Sequence, residues 1–92
     1  LEIIKNNISG PDINTLISKL EQKPHDINLI IEISDKYFST QNYENSFDIL
    51  INNYPKNKQK VKEKMIEFFE VLGNSNEHTI NYRKKLSQLM FA

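Results

Sequence analysis

The feature that most constrains this chain is how rarely it is interrupted. Its 92 residues hold three prolines and two glycines, and all five lie beside stretches of helical period rather than inside them. Strands have little support, because the apolar residues recur at three- and four-residue steps and not in alternation. The chain therefore reads as all-α, a short array of about five antiparallel helices.

Gly10-Pro11-Asp12 is a helix entry signal, since proline fits a first turn whose N–H groups have no intrahelical partner. Ile13, Leu16, Ile17 and Leu20 then form one stripe, and Pro24 ends it. Asp26 is placed to cap a second helix through Ile27, Ile30, Ile31, Ile33, Ser34, Tyr37 and Phe38. Its apolar arc is too broad for one neighbour, so the helix is expected to be sandwiched or to line a groove. The turn Ser39-Thr40-Gln41-Asn42 leads to a third stripe, Tyr43, Phe47, Leu50, Ile51 and Tyr54, stopped by Pro55. So short a turn implies an antiparallel hairpin. A fourth helix over 57–72 aligns Val61, Met65, Phe68, Phe69 and Leu72, and Gly73-Asn74 predicts a left-handed stop. Ser75 or Asn76 caps a fifth, whose expected buried side is Ile80, Tyr82, Leu86, Leu89 and Met90. Residues 1–11 read as the end of a truncated upstream helix or a linker, and 12–92 as the helical domain. A start at Leu1 instead of methionine points to a portion of something longer.

Composition removes whole classes of function. At 38% apolar the chain can bury one modest core. Twelve basic against twelve acidic side chains remove the basic excess that a nucleic-acid binder carries. The absence of cysteine excludes a disulfide scaffold, a thiolate nucleophile and Cys-ligated zinc, and fits a reducing compartment. No apolar run approaches the roughly 20 residues a membrane span needs. His25 and His78 lack metal-ligand spacing, and no nucleophile elbow or glycine-rich phosphate loop occurs. The expectation is a chain without catalytic, metal or cofactor residues, with neither nucleic acid nor membrane as partner. Charge is unevenly divided: residues 1–55 hold four lysines against eight carboxylates, residues 56–92 eight Lys/Arg against four glutamates. That division makes the domain dipolar.

The spacing Ile30..Ile33-Ser34..Tyr37.....Tyr43..Ser46...Leu50 resembles the tetratricopeptide repeat, with Ser34 and Ser46 where that family uses Ala or Gly because two helix backbones approach closely. One period earlier, Leu16 and Pro24 fall on the second-helix leucine and terminal proline of a truncated repeat. Asn53 and Lys58 depart from the pattern, replacing a small residue and a proline. Residues 60–91, KVKEKMIEFFEVLGNSNEHTINYRKKLSQLMF, resemble the C-terminal end of bacterial thioredoxin-fused, chaperedoxin-like co-chaperones, on Phe68-Phe69, Leu72-Gly73, Tyr82-Arg83, Leu86 and Met90-Phe91. The resemblance covers roughly 12–92. It implies a cytoplasmic protein with a preceding thioredoxin-fold domain, whose partners are unfolded clients and chaperone or chaperonin machinery. The family's redox chemistry would lie in that other domain, and no thiol of it is assigned to this chain.

Two surfaces are candidates for binding protein. Asn28, Ile31, Asp35 and Phe38 share a helix face that the repeat frame turns toward a concave surface. The competing expectation is that the last two helices cover Ile31 and Phe38, because so small an array must close on itself. Arg83, Leu86, Leu89, Met90 and Phe91 belong to a terminal amphipathic helix that either docks in a partner's groove or caps the array. A purely structural role, self-association of the parent protein through this helix, is the alternative function. The run Lys56, Lys58, Lys60, Lys62, Lys64 is expected to be a solvated face, with Lys56, Lys60 and Lys64 aligned.

Overall fold

The computed structural model describes residues 12–91, so the expectations for residues 1–11 lie outside the described residues. Among the described residues there are five α-helices and no strand: α1 (Ile13–Gln22), α2 (Ile27–Ser39), α3 (Tyr43–Asn52), α4 (Lys58–Leu72) and α5 (Glu77–Met90), with a 3-10 turn at Tyr54–Lys56 before α4.

Side-chain caps set most of the boundaries. Asp12 accepts from the Thr15 N–H at 2.9 Å and Asp26 from the Leu29 N–H at 3.2 Å. Asn57 accepts from Lys60 N–H and Asn76 from His78 N–H, so Asn76 rather than Ser75 starts α5. Each satisfies an N–H group that the helix leaves unpaired. The Thr15 N–H bond lowers the pKa of the exposed Asp12 carboxyl, because the ionised form accepts it better. Gly73 ends α4 with φ +93° and ψ 157°. The expected stop is therefore a positive-φ glycine, but in the extended mirror region open essentially to glycine alone and not in the left-handed helical one. At the α2–α3 turn Gln41 also has positive φ, 66°, a conformation that no turn residue in the sequence announced.

The helices stack as hairpins. Between α2 and α3, Ser34 and Ser46 are fully buried, and the Ser46 hydroxyl donates to the Ser34 carbonyl at 2.8 Å. Two backbones this close leave no room for larger side chains, which is the requirement the repeat pattern expresses. Helix α2 is sandwiched as its broad arc requires. Leu29 and Ile33 face α1 with Leu16, while Ile30 joins Phe47, Leu50, Val61, Met65 and Phe69 in the main core. At that core's centre Phe47 stacks on Phe69 (5.4 Å) and Tyr82 (4.7 Å) and meets the edge of Phe68. Full burial of one such side chain contributes roughly 1.5–3 kcal/mol.

Two expectations need correcting. Tyr54 is buried but belongs to the 3-10 turn, not to α3, because Asn53 turns the chain out of the helix, its Nδ2 donating to the Ile49 carbonyl at 2.7 Å. Of the apolar residues expected on the buried side of α5, only Tyr82 and Leu86 are buried, joined by Thr79. Ile80 is 53% exposed, and Leu89 and Met90 are 38% and 39% exposed. The reason is that α5 has a neighbour on one side only, so just the residues three and four apart facing α3 and α4 are covered.

Candidate functional site

The first candidate surface is the face of α2 that carries Asn28, Ile31, Asp35 and Phe38. The structure brings all four to the flank on which α4 rests. Lys60 Nζ donates to Asn28 Oδ1 at 3.2 Å, and Lys64 Nζ pairs with Asp35 Oδ1 at 3.0 Å and with Glu67 at 3.3 Å. Burial alone would lower the Lys64 pKa, but the bonds and charges of Asp35 and Glu67 outweigh it and raise the value. Ile31 is half-buried against the main core. The Phe38 ring stacks on Phe68 at 4.1 Å, nearly parallel, and lies 5.0 Å from Tyr43. Phe38 is thus a seam residue between hairpins and not an open anchor. What remains open is a shallow cavity of about 280 Å³ between α2 and α4, lined by Asn28, Ile31, Lys60, Glu63, Lys64 and Glu67.

The same contacts correct the reading of the lysine run. Lys60 and Lys64 share a face of α4, whereas Lys56 lies in the 3-10 turn before it, and none of the three is simply solvated: Lys60 reaches Asn28, Lys64 reaches Asp35 and Lys56 reaches the Pro24 carbonyl (2.6 Å). They form a ladder that ties α4 and the 3-10 turn before it to α2 and the loop that precedes α2. A regular spacing of lysines could not reveal this, since the partners lie about 30 residues away and depend on stacking register.

The second candidate surface lies on α5 and the neighbouring side of α4. Arg83 is held by two contacts: its guanidinium sits 5.3 Å from the Phe69 ring centroid, and Nη2 donates to Asn74 Oδ1 at 3.1 Å. Leu86 is buried and cannot itself reach out to a partner; it floors a cleft of about 470 Å³ between α4 and α5. Met90 and Phe91 also line that cleft, and Phe91 is 83% exposed. Leu89 is exposed on the same helix without lining the cleft. Sequence reasoning missed Ile66 and Val71, both exposed on α4. The available signal was that they are apolar residues left off the α4 stripe, beside Met65 and Leu72.

On the far side of α5, the buried Tyr82 hydroxyl donates to Asp48 Oδ1 at 2.8 Å and lies 3.4 Å from the Glu44 carbonyl. Burial, and then the Asp48 carboxylate, push its pKa well above the ordinary 10.0. Lys85 Nζ lies 4.8 Å from the same ring. This bond anchors α5 to α3 and has no reacting partner. Among the described residues, no group of three or more His, Cys, Asp or Glu could hold a metal ion, and no helix is long and apolar enough to cross a membrane.

Stacked hairpins with a serine-lined close approach are the geometry of a helical repeat, and the comparison with known families agrees. Residues 6–91 match the family model described as Tetratricopeptide repeat. The chain belongs to the tetratricopeptide-repeat family. No curated protein and no solved structure matches it. Tetratricopeptide-repeat domains generally mediate protein–protein interaction and are generally non-catalytic, which suits a surface of apolar clefts and paired charges. As a tetratricopeptide-repeat domain it departs from the common pattern at the exit from the complete hairpin. There Asn53, the C-cap of α3, and Lys58, the first residue of α4, stand where the repeat ordinarily has a small residue and a proline, with the turn Tyr54–Lys56 between them.

Proposed function

We propose that this tetratricopeptide-repeat domain is the protein-interaction portion of a cytoplasmic, thioredoxin-fused co-chaperone of the chaperedoxin kind, binding unfolded clients or chaperone partners. The observation that carries the interaction reading is the placement of its exposed apolar residues. Ile66, Val71, Ile80, Leu89, Met90 and Phe91 all lie on the α4–α5 hairpin, the one against which no further described helix is stacked. Apolar surface concentrated in this way marks an interaction site more than scattered single residues do. The co-chaperone assignment rests on the resemblance of residues 60–91 to the C-terminal end of that family.

In this reading apolar contact supplies most of the affinity. The acidic first half and basic second half steer encounter and make association sensitive to salt. No bond is made or broken by these residues. The test is capture of a chemically unfolded client, and of a purified chaperonin, by the intact chain and by a chain lacking Met90, Phe91 and Ala92. Capture should fall while far-ultraviolet dichroism stays the same. Full capture by the shortened chain sinks the reading, and a tight dimer of the intact chain that disappears on shortening replaces it with self-association. Phe38→Ala is a weaker probe, because Phe38 supports Phe68 and its loss acts through stability.

A further inference from the structure

Resting on the interaction reading, we propose that the cleft between α4 and α5 seats an acidic amphipathic helix of a partner protein, apolar face down on Phe69 and Leu86 and carboxylates between Lys62 and Arg83. Three observations converge on that occupant.

The first is shape. The cleft's floor is buried Phe69 and Leu86, and its walls are the exposed Ile66 and Met90. Lining residues recur on α4 at 62, 66 and 69 and on α5 at 83, 86 and 90, so each wall runs for about 10 Å, close to two turns of a helix laid along it. Met90 supplies an unbranched wall that adapts to the side chains it meets.

The second is charge. Lys62 on one wall and Arg83 on the other bracket the floor, and Glu70 is the one carboxylate among the residues lining the cleft. Arg83 is already ordered by Phe69 and Asn74, so little side-chain freedom is lost when it meets a carboxylate. The cavity between α2 and α4 differs in this respect. Its Lys60 and Lys64 are occupied by Asn28 and Asp35, and Glu63 and Glu67 line it as well. A second copy of this chain docking by the same cleft would bring two clefts together that each carry Lys62 and Arg83 against the single carboxylate Glu70, an excess of like charge that opposes an isologous dimer.

The third is precedent within the molecule. The corresponding flank of the α2–α3 hairpin is covered by helices, Phe47 receiving Phe69 from α4 and Tyr82 from α5. The α4–α5 cleft is the next place in the same stacking, and a helix is what that place accepts.

The probe is a synthetic, end-blocked peptide of about 15 residues, long enough to form helix on binding, with leucines at i, i+4 and i+7 and flanking glutamates. Its counterpart carries lysines in their place. Titration into the isotope-labelled chain, read by amide shifts, should move Ile66, Glu70, Arg83 and Ser87 with the glutamate peptide. The lysine peptide should bind about tenfold more weakly or worse, and raising salt from about 0.05 M to about 0.5 M should narrow the gap. Lys62→Glu, a rim change that leaves the core untouched, should weaken the glutamate peptide and strengthen the lysine one; Arg83→Glu should do so more strongly, with its thermal midpoint measured alongside. Equal affinity for the two peptides, shifts confined to Asn28, Lys60 and Lys64, or binding of neither peptide would overturn the proposal. These failures are distinct from failure of the interaction reading, which is decided by client and chaperonin capture without Met90, Phe91 and Ala92.

Discussion

The α2–α3 and α4–α5 hairpins are joined by short turns, residues 40–42 and 73–76, and contribute aromatic rings to the same core, but their surroundings differ. The first hairpin is covered on both flanks, by α1 through Leu16, Leu29 and Ile33 and by the second hairpin through Phe47 and Phe38. The second is covered on one flank, and the cleft on its other side is lined by the exposed Ile66, Met90 and Phe91. What the difference teaches is that in a stacked array a hairpin with a neighbour on one side only keeps open a surface that neighbours satisfy elsewhere. The seam between the hairpins is where stability resides, and the open flank is where binding can occur without disturbing it.

The seam should break first at its centre. Phe47→Ala removes the ring that contacts Phe68, Phe69 and Tyr82 and should cost about 3–5 kcal/mol in urea-unfolding free energy. A loss under about 1 kcal/mol would mean the hairpins are not held by this contact. Within the first hairpin, Ser46→Leu forces α2 and α3 apart at their fully buried crossing and orphans no donor but overfills the site. A destabilisation of about 1–3 kcal/mol is expected from the same measurement.

A third prediction separates the seam from the hairpins through pH. Tyr82 links α5 to α3 and Lys64 links α4 to α2, and both have raised pKa values. A group whose folded-state pKa is raised contributes fully below its unfolded value and loses that contribution as pH rises through the folded one. Stability should therefore fall above about pH 10, with amide exchange at the α3–α5 contact accelerating before that within α2–α3. Tyr82→Phe should flatten much of that alkaline limb. An alkaline limb unchanged in the Phe variant would place the effect elsewhere. The smallest effect is expected on the open flank. Ile66→Ser or Phe91→Ser should change unfolding free energy by no more than about 0.5 kcal/mol, while each lowers client capture; a larger stability loss would show that this flank is part of the core.

Much of the fold is legible in the residues because the helix signals are local. Asp12, Asp26 and Asn76 cap the helices they precede, Pro24 and Gly73 stand just beyond the helices they end, and the serine pair at 34 and 46 specifies a close crossing before any coordinate is known. The candidate site was less legible. The spacing of Ile31 and Phe38 fitted an open face as well as one covered by the last two helices, and it is α4 that takes the face. Leu89, Met90 and Ile80 have the spacing of a buried stripe, yet they are exposed. Periodicity says which residues share a side of a helix and is silent on whether anything stands opposite.

By itself, then, the amino-acid sequence determined five helices, their caps, their hairpin turns and a tetratricopeptide-repeat crossing, because each depends on interactions within a few residues or on one repeated spacing. Only the tertiary structure decided that Lys56, Lys60 and Lys64 grip α2 and its preceding turn, that Phe38 lies under Phe68, and that Arg83 orders one rim of an apolar cleft. Those outcomes depend on the register in which one hairpin settles against the next. That register is set by the fit of Phe47, Phe69 and Tyr82 together, and no single segment contains it.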